Sequence, residues 1–250
     1  MKKMFPAMLD CPEKPRILLG LFYCILAFFS LPFALLLLMQ GSFAKDSARA
    51  GIEIVFHVVN ALAAVRIFRE YLKDAFLNVQ INTKDFLKTV GVSVAAILIL
   101  ALDMHRFFIR FGGTYSYIAA WGILPLAEVD LFILSSELIA TSPLFGTLCL
   151  AVLSPFAISC LFYATVFAPV CCKRPWLAYL LVALAVAFPR ICNGMTYWNP
   201  TDELFLYLAQ LPMHLIACWS YQKTDTVWAP IAVHASANLI ACVLCMLMLW

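Results

Sequence analysis

The sequence predicts an all-α protein, a polytopic bundle of about eight transmembrane helices, and three observations support this fold class. Hydrophobic residues make up 64% of the 250 residues and charged residues only 12%, whereas a soluble domain is about half apolar and about a quarter charged. The mean hydropathy is +0.94. The apolar residues also form runs of about 20 residues, the length that a helix needs to cross the hydrocarbon core.

Eight apolar segments are predicted as spanning helices of one integral membrane domain. The first follows the charged stretch 13–16 and is long enough to be a retained helix rather than a cleaved signal peptide. Glu53, His57, Asn60 and Arg66 interrupt the second, which is either a partly polar bundle helix or an interfacial one. The remaining six are mainly apolar along their length. In chain order the predicted helices cover roughly 16–40, 51–69, 86–105, 114–134, 144–170, 175–193, 203–222 and 227–250.

Basic residues in short loops predict the orientation, because such residues concentrate on the cytoplasmic side. One group precedes the first helix and another surrounds the loop after the second, which places the N-terminus in the cytoplasm: Lys2, Lys3, Lys14, Arg16, Arg66, Arg69, Lys73, Lys84 and Lys88. Arg106, Arg110, Lys173 and Arg174 would fall on the opposite side. Eight spans also predict a cytoplasmic C-terminus. The expected location is the cytoplasmic (inner) membrane of a bacterium or an equivalent membrane.

Composition also excludes several classes of partner. The net charge is only +3 and the basic residues form short clusters, so no nucleic-acid partner is expected. Most of the ten cysteines lie within apolar segments and are predicted to be small buried hydrophobes. The spacing of cysteine and histidine matches no structural zinc site, and there is no HExxH motif. No cofactor is predicted, and metal dependence stays open. Membrane lipids are the expected surroundings.

The last helix carries the clearest candidate site. His234 and Asn238 follow Trp228-Ala229-Pro230 and lie one helical turn apart in an otherwise apolar run. Polar groups within a membrane are costly unless they face the bundle interior, so the pair predicts a polar intramembrane site. The alternative is a hydrogen-bonded pair that only holds helices together. His214, which follows Pro212 on the preceding helix, is predicted to face the same cavity.

Residues 154–238 resemble the core of the CAAX protease and bacteriocin-processing family (CPBP, also called Abi), which are intramembrane endopeptidases. Trp228-Ala229-Pro230 with His234 and Asn238 matches the last family motif, and the run 221–226 resembles the turn before it. The resemblance divides the chain into N-terminal transmembrane helices, 1–143, and a family-like core, 144–250. It implies that His234 and Asn238 line the catalytic site and stabilise an oxyanion.

The other two motifs of the resembled family are degenerate in this chain. After the lead-in Ser154-Pro155-Phe156-Ala157, Ile158 and Ser159 occupy the positions of two glutamates and Tyr163 that of an arginine. Cys192 stands four residues after Phe188, where the second motif has histidine. The resemblance assigns water activation to a glutamate, and loss of a general base typically costs a factor of about 10² to 10⁴. The chain is therefore predicted to be a pseudoenzyme that binds, chaperones or confers immunity to prenylated or bacteriocin-leader peptides near the membrane.

Several alternatives stay open at this point. Cys192 with His234 would form a nucleophile and its base. Glu53 and His57 are predicted as a polar patch at a helix end or, alternatively, as a proton relay or half a metal site. Asp103 and His105 are expected at the interface, as are Tyr197, Trp198, Trp219, Tyr221 and Trp228; Glu128, Asp130 and Glu137 lie near the fourth helix. The rival function is a small transporter or permease component that uses polar residues of the second and eighth helices.

Overall fold

A computed structural model describes residues 11–30, 46–111, 142–185 and 200–249 of this chain, and within them the secondary structure is helical with no strand. This confirms the all-α part of the prediction. The predicted helix 114–134 and the ends of the first and sixth predicted helices lie outside the described residues. Seven helices are described: α1, Lys14–Cys24, which continues as a π-helix, Ile25–Ser30; α2, Asp46–Ile81; α3, Thr83–Phe111; α4, Pro143–Cys171; α5, Pro175–Ala185; α6, Pro200–Thr224; and α7, Trp228–Leu249.

Helix α2 extends 12 residues beyond its predicted end at residue 69. Its C-terminal part is amphipathic, because Leu72 and Ala75 are buried while Glu70 and Lys73 are exposed. The exposed charges end the apolar run in the sequence but leave the helix uninterrupted. The helix changes direction at Phe68, where φ is −111° and ψ is 16°.

Helix α4 alternates between α-helical and π-helical turns, and its prolines account for the alternation. Pro155 lies two residues after the end of the π-helical segment Cys149–Leu153, and Pro169 lies two residues after the end of the π-helical segment Ser159–Phe167. A proline ring clashes with the carbonyl four residues earlier and provides no N–H, and the wider π-helix relieves that conflict. Carbonyls of the two π-helical segments accept hydrogen bonds from neighbouring helices: the Cys24 thiol donates to Leu161 O, and the Asn238 amide donates to Leu150 O.

Contacts along α4 fix the directions of its neighbours. Helix α1 is antiparallel to α4, since Gly20 lies beside Thr165 and Cys24 beside Leu161. Helix α7 is also antiparallel to α4, since His234 contacts Tyr163 and Asn238 contacts Leu150. The start of α1 therefore lies at the C-terminal end of α4, and the end of α7 lies at the opposite end. The prediction that both chain ends lie on one side is wrong for these helices.

The same contacts gather basic side chains at one end of the bundle. The α6–α7 turn is joined to the C-terminal part of α2 because the Thr226 hydroxyl donates to Ala75 O at 3.0 Å and Tyr71 hydrogen-bonds Tyr221. That turn, the start of α1, the α2–α3 junction and the α4–α5 turn thus form what we call the basic end. Its exposed basic residues are Lys14, Arg16, Arg66, Arg69, Lys73, Lys84, Lys88, Lys173, Arg174 and Lys223. Lys173 and Arg174 were predicted on the other side, and that prediction is wrong.

Every described helix exposes large apolar side chains on its outer face. Examples are Leu18 on α1, Leu62 on α2, Ile99 on α3, Leu144 on α4 and Leu184 on α5. Such an outer surface suits a hydrocarbon solvent better than water. Among the described helices, α4 is the one that is both long and apolar enough to cross a membrane by length and composition. The number of eight spans stays a prediction.

Candidate functional site

His234, His214 and Tyr163 meet in the interior of the bundle, each from a different helix. The Tyr163 hydroxyl lies 3.4 Å from His234 Nε2 and 3.4 Å from His214 Nδ1. The two imidazole rings pack edge to face, with centroids 5.3 Å apart. All three side chains are at most 1% exposed. The sequence prediction that His214 faces the same place as His234 agrees with this geometry.

The π-helical segment of α4 supplies Tyr163 to this centre. Ser159 precedes Tyr163 by four residues in the segment, is fully buried, and has no hydrogen-bond partner for Oγ among the described residues. Ile158 is partly buried and packs against the apolar core. The residues predicted at the two glutamate positions are thus an aliphatic side chain and a hydroxyl. Tyr163, predicted at the arginine position, contacts His234 directly.

Asn238 lies one turn beyond His234 but donates a hydrogen bond to the backbone of α4. Its Nδ2 donates to Leu150 O at 2.9 Å, and Leu150 belongs to the first π-helical segment of α4. The amide side chain is therefore used in helix packing, as the alternative prediction for this residue states. The structure brings His234 to Tyr163 and His214, and it brings Asn238 to the α4 backbone.

The aromatic residues around the α6–α7 turn differ in their burial. Tyr221 is fully buried, hydrogen-bonds Tyr71 and packs edge-on against Phe167. The Trp228 indole donates to Leu72 O at 3.1 Å. The prediction of an interfacial role is wrong for Tyr221, which is fully buried, whereas Trp228 is partly exposed and its interfacial role stays a prediction. Trp219, in contrast, is 39% exposed.

The polar residues of α2 form a second buried group. His57 is 5% exposed, Asn60 is 2% exposed, and the Tyr23 hydroxyl of α1 donates to Asn60 Oδ1 at 2.8 Å. The prediction of a polar patch at a helix end is wrong here, because α2 begins at Asp46 and His57 lies well inside it. The side chain of Glu53 is outside the described part, so the proposed relay or metal pair stays untested.

Several other residues of the predictions fall outside the described residues: Cys192, Glu128, Asp130, Glu137, Phe188, Tyr197 and Trp198. The backbones of Asp103 and His105 belong to α3, but their side chains are not described. The pairing of Cys192 with His234 therefore stays a prediction.

The described centre holds no carboxylate. The buried polar side chains in the described part of the chain are histidine, asparagine, serine and threonine, and none is a carboxylate. Within that same part, no group of three or more His, Cys, Asp or Glu side chains is placed to hold a metal ion. Two imidazoles and a phenol can donate and accept hydrogen bonds. They supply polar contacts for a neutral group in an apolar interior.

Tyr163 is the contact that the sequence did not identify. In the sequence, Tyr163 is notable only because it occupies the predicted position of an arginine. Nothing in the sequence indicates that its hydroxyl contacts two histidines. That contact depends on how α4, α6 and α7 pack. The signals for the histidines were stronger, namely polar residues in apolar helices beside Pro212 and Pro230.

Comparison with known proteins gives one match. Residues 140–240 match the family model described as type II CAAX prenyl endopeptidase Rce1-like. Neither the curated proteins nor the solved structures gave a match. The matched segment contains α4, α5, α6 and the part of α7 that carries His234 and Asn238, and the match confirms the resemblance read from the sequence. The match over residues 140–240 supports membership of this chain in the CAAX protease and bacteriocin-processing family, whose proteins are membrane-embedded.

Proposed function

We propose that this chain is a catalytically impaired member of its family that binds membrane-proximal peptides and does not cleave them. The observation that carries the proposal is the replacement around His234. Where the resembled enzymes have two glutamates and an arginine, this chain has Ile158, Ser159 and Tyr163, and Tyr163 contacts both histidines. The peptide substrates implied by the resemblance are prenylated peptides or bacteriocin leaders.

The chemical argument against hydrolysis concerns the general base. Peptide-bond hydrolysis needs a base that removes a proton from water, and a side chain with a suitable pKa contributes a factor of about 10² to 10⁴. Ile158 has no basic atom, and a serine hydroxyl is far too weak a base. An imidazole is basic enough, but His214 and His234 both hydrogen-bond the same Tyr163 hydroxyl. They are placed to hold a polar group rather than to deliver a hydroxide.

The same side chains suit recognition of a peptide carbonyl. A buried hydroxyl or imidazole N–H that donates to a carbonyl gains more in an apolar interior than in water. Ser159, with an unsatisfied buried hydroxyl four residues from Tyr163, adds a further donor on the same helix. A bound peptide group would satisfy it. Binding without cleavage accommodates a chaperone for membrane peptides or an immunity protein against bacteriocins.

For the orientation, we propose that the basic end faces the cytoplasm, with the start of α1 on that side. Support comes from the positive-inside rule, since ten exposed basic residues gather there. The cytoplasmic membrane of a bacterium stays the proposed location. The transporter hypothesis gains no support from the family match.

A binding assay on the intact protein tests the proposal. Purified protein in proteoliposomes is titrated with fluorescent farnesylated and leader-type peptides, and the dissociation constant is compared with that of His234→Ala. Ser236→Ala, a half-buried change on the same helix, is the matched control. His234→Ala removes a hydrogen bond that contributes about 1 kcal/mol to binding, so its dissociation constant should rise about fivefold. The dissociation constant of the control should equal that of the wild-type protein. Absence of binding by the wild-type protein to every peptide would contradict the proposal.

A further inference from the structure

We infer that the basic end binds the headgroups of anionic phospholipids. The described charged side chains at the basic end are mostly positive. Ten exposed basic residues share this end with five acidic ones, Glu13, Glu70, Asp74, Asp85 and Asp225. In the whole chain the corresponding totals are 17 and 14. Among the charged side chains that the structure describes, this end therefore carries twice as many basic as acidic groups.

The charged residues at this end belong to several helices. They come from the start of α1, the α2–α3 junction, the α4–α5 turn and the end of α6, segments that packing brings together rather than neighbours in sequence. Phe167 of α4 packs against Tyr179 of α5 and Tyr221 of α6, which fixes the α4–α5 turn beside the end of α6. Positive side chains thus lie around several sides of the bundle towards this end.

Some of these charges lie next to the apolar outer surface of the bundle. On α2 the exposed side chains Leu62 and Val65 are followed at once by Arg66 and then Arg69. Lys173 and Arg174 follow the apolar helix α4, which ends at Cys171. An apolar helix followed at once by basic side chains, as α4 is, marks the boundary between hydrocarbon and headgroups; on α2 the basic residues are followed by the exposed apolar side chains Phe76, Leu77 and Ile81.

Two tryptophans support the same boundary. Trp176 is 67% exposed two residues after Arg174, and Trp219 is 39% exposed one turn before Lys223. Exposed tryptophan is typical of the headgroup region, where its ring is partly apolar and its N–H is solvated. Lipid phosphates at this depth meet guanidinium and ammonium groups, whereas a soluble phosphate has no reason to prefer a site beside exposed aliphatic side chains. The partner is therefore a lipid surface with negative headgroups.

The test counts retained lipids by native mass spectrometry of the full chain released from nanodiscs of phosphatidylcholine and phosphatidylglycerol. The wild-type protein is expected to retain phosphatidylglycerol above its bulk share. Lys173→Gln/Arg174→Gln and, separately, Lys14→Gln/Arg16→Gln should each lower that enrichment by about thirtyfold, because each double change removes two basic residues that contribute about 1 kcal/mol apiece near the surface. Arg106→Gln/Arg110→Gln, on the far part of α3, is the matched control and should retain the wild-type ratio.

Three results would overturn the inference. The first is retention of the two lipids in their bulk ratio by the wild-type protein. The second is equal enrichment in all the double variants. The third is loss of enrichment on adding inorganic phosphate in place of chloride at equal ionic strength, which would assign the site to free phosphate. Thermal stability of each variant in pure phosphatidylcholine checks folding, and two separate basic pairs keep the test decisive if one variant fails to fold.

Discussion

Tyr163 stands between two imidazoles at 3.4 Å from each, distances longer than the usual hydroxyl hydrogen bond of about 2.8 Å. We expect Tyr163→Phe to keep the edge-on ring packing against Phe167 and His234 while removing these contacts. Unfolding in a detergent titration should therefore lose only about 0.5 to 1.5 kcal/mol. Peptide affinity should fall severalfold. Unchanged affinity in a folded variant would remove Tyr163 from the binding site.

Asn238 offers a contrasting prediction at the residue scale. Asn238→Ala removes the donor to Leu150 O, and membrane-protein hydrogen bonds of this kind contribute about 0.6 to 2 kcal/mol. The detergent titration should show that loss in unfolding free energy, with peptide affinity changed less than in His234→Ala. Ser236→Ala serves as the neighbouring control. A larger effect on affinity than on stability would return Asn238 to the binding site.

At this scale the sequence predicts which helices carry polar side chains but not which atoms meet. Histidines at 214 and 234 are conspicuous in apolar runs, so their burial can be predicted. The partner of Asn238 cannot, because Leu150 O becomes available only through the π-helical turn before Pro155. The contact made by Tyr163 likewise depends on the packing of three helices.

At the scale of elements, the close approach of α1 to α2 and α4 depends on Gly20. A Cβ added there would lie 2.7 Å from the Phe68 ring and also against the Thr165 methyl group. Gly20→Ala should therefore destabilise the protein by about 1 to 3 kcal/mol. Gly91→Ala on α3 is the matched control, since no atom lies within 4 Å of its added Cβ, and its helix propensity rises by about 1 kcal/mol. Equal effects of the two changes on the detergent midpoint would contradict the packing.

Helix boundaries show where sequence patterns succeed at this scale. The uniformly apolar run 144–170 predicts α4 to within a residue at each end, because apolar length and helix length coincide there. For α2 they do not coincide. The helix continues past residue 69 with charges on its exposed side, and nothing in the sequence marks the bend at Phe68, which has neither proline nor glycine beside it.

At the scale of the whole molecule, α1 and α7 both run away from the basic end. Fusions should therefore report opposite sides of the membrane for the two chain ends. A fluorescent protein at the N-terminus should fluoresce, as expected in the cytoplasm, and alkaline phosphatase at the C-terminus should be active, as expected in the periplasm. Phosphatase fused instead to the N-terminus is the control and should be inactive. Reporters that place both ends on one side would contradict the helix directions.

Composition predicts the helical membrane class of the whole molecule, because so few charged residues leave little polar surface for water. The arrangement of helices needed the structure. A count of apolar runs assigns Lys173 and Arg174 to the side opposite Lys14, whereas the antiparallel packing of α1 on α4 brings them to the same end. A single error in the number of membrane crossings reverses the predicted direction of every later helix. The side of the membrane on which a loop lies is therefore the least reliable property that a hydropathy pattern predicts.

The central claim is binding without hydrolysis, and a cleavage assay tests it most directly. Purified wild-type protein and His234→Ala, each in proteoliposomes, are incubated with prenylated and leader-type peptides, beside an active type II CAAX prenyl endopeptidase as positive control. Mass spectrometry of the peptides should show cleavage by the active enzyme alone. Cleavage by the wild-type protein that disappears in His234→Ala would contradict the claim and would require a substitute for the lost general base.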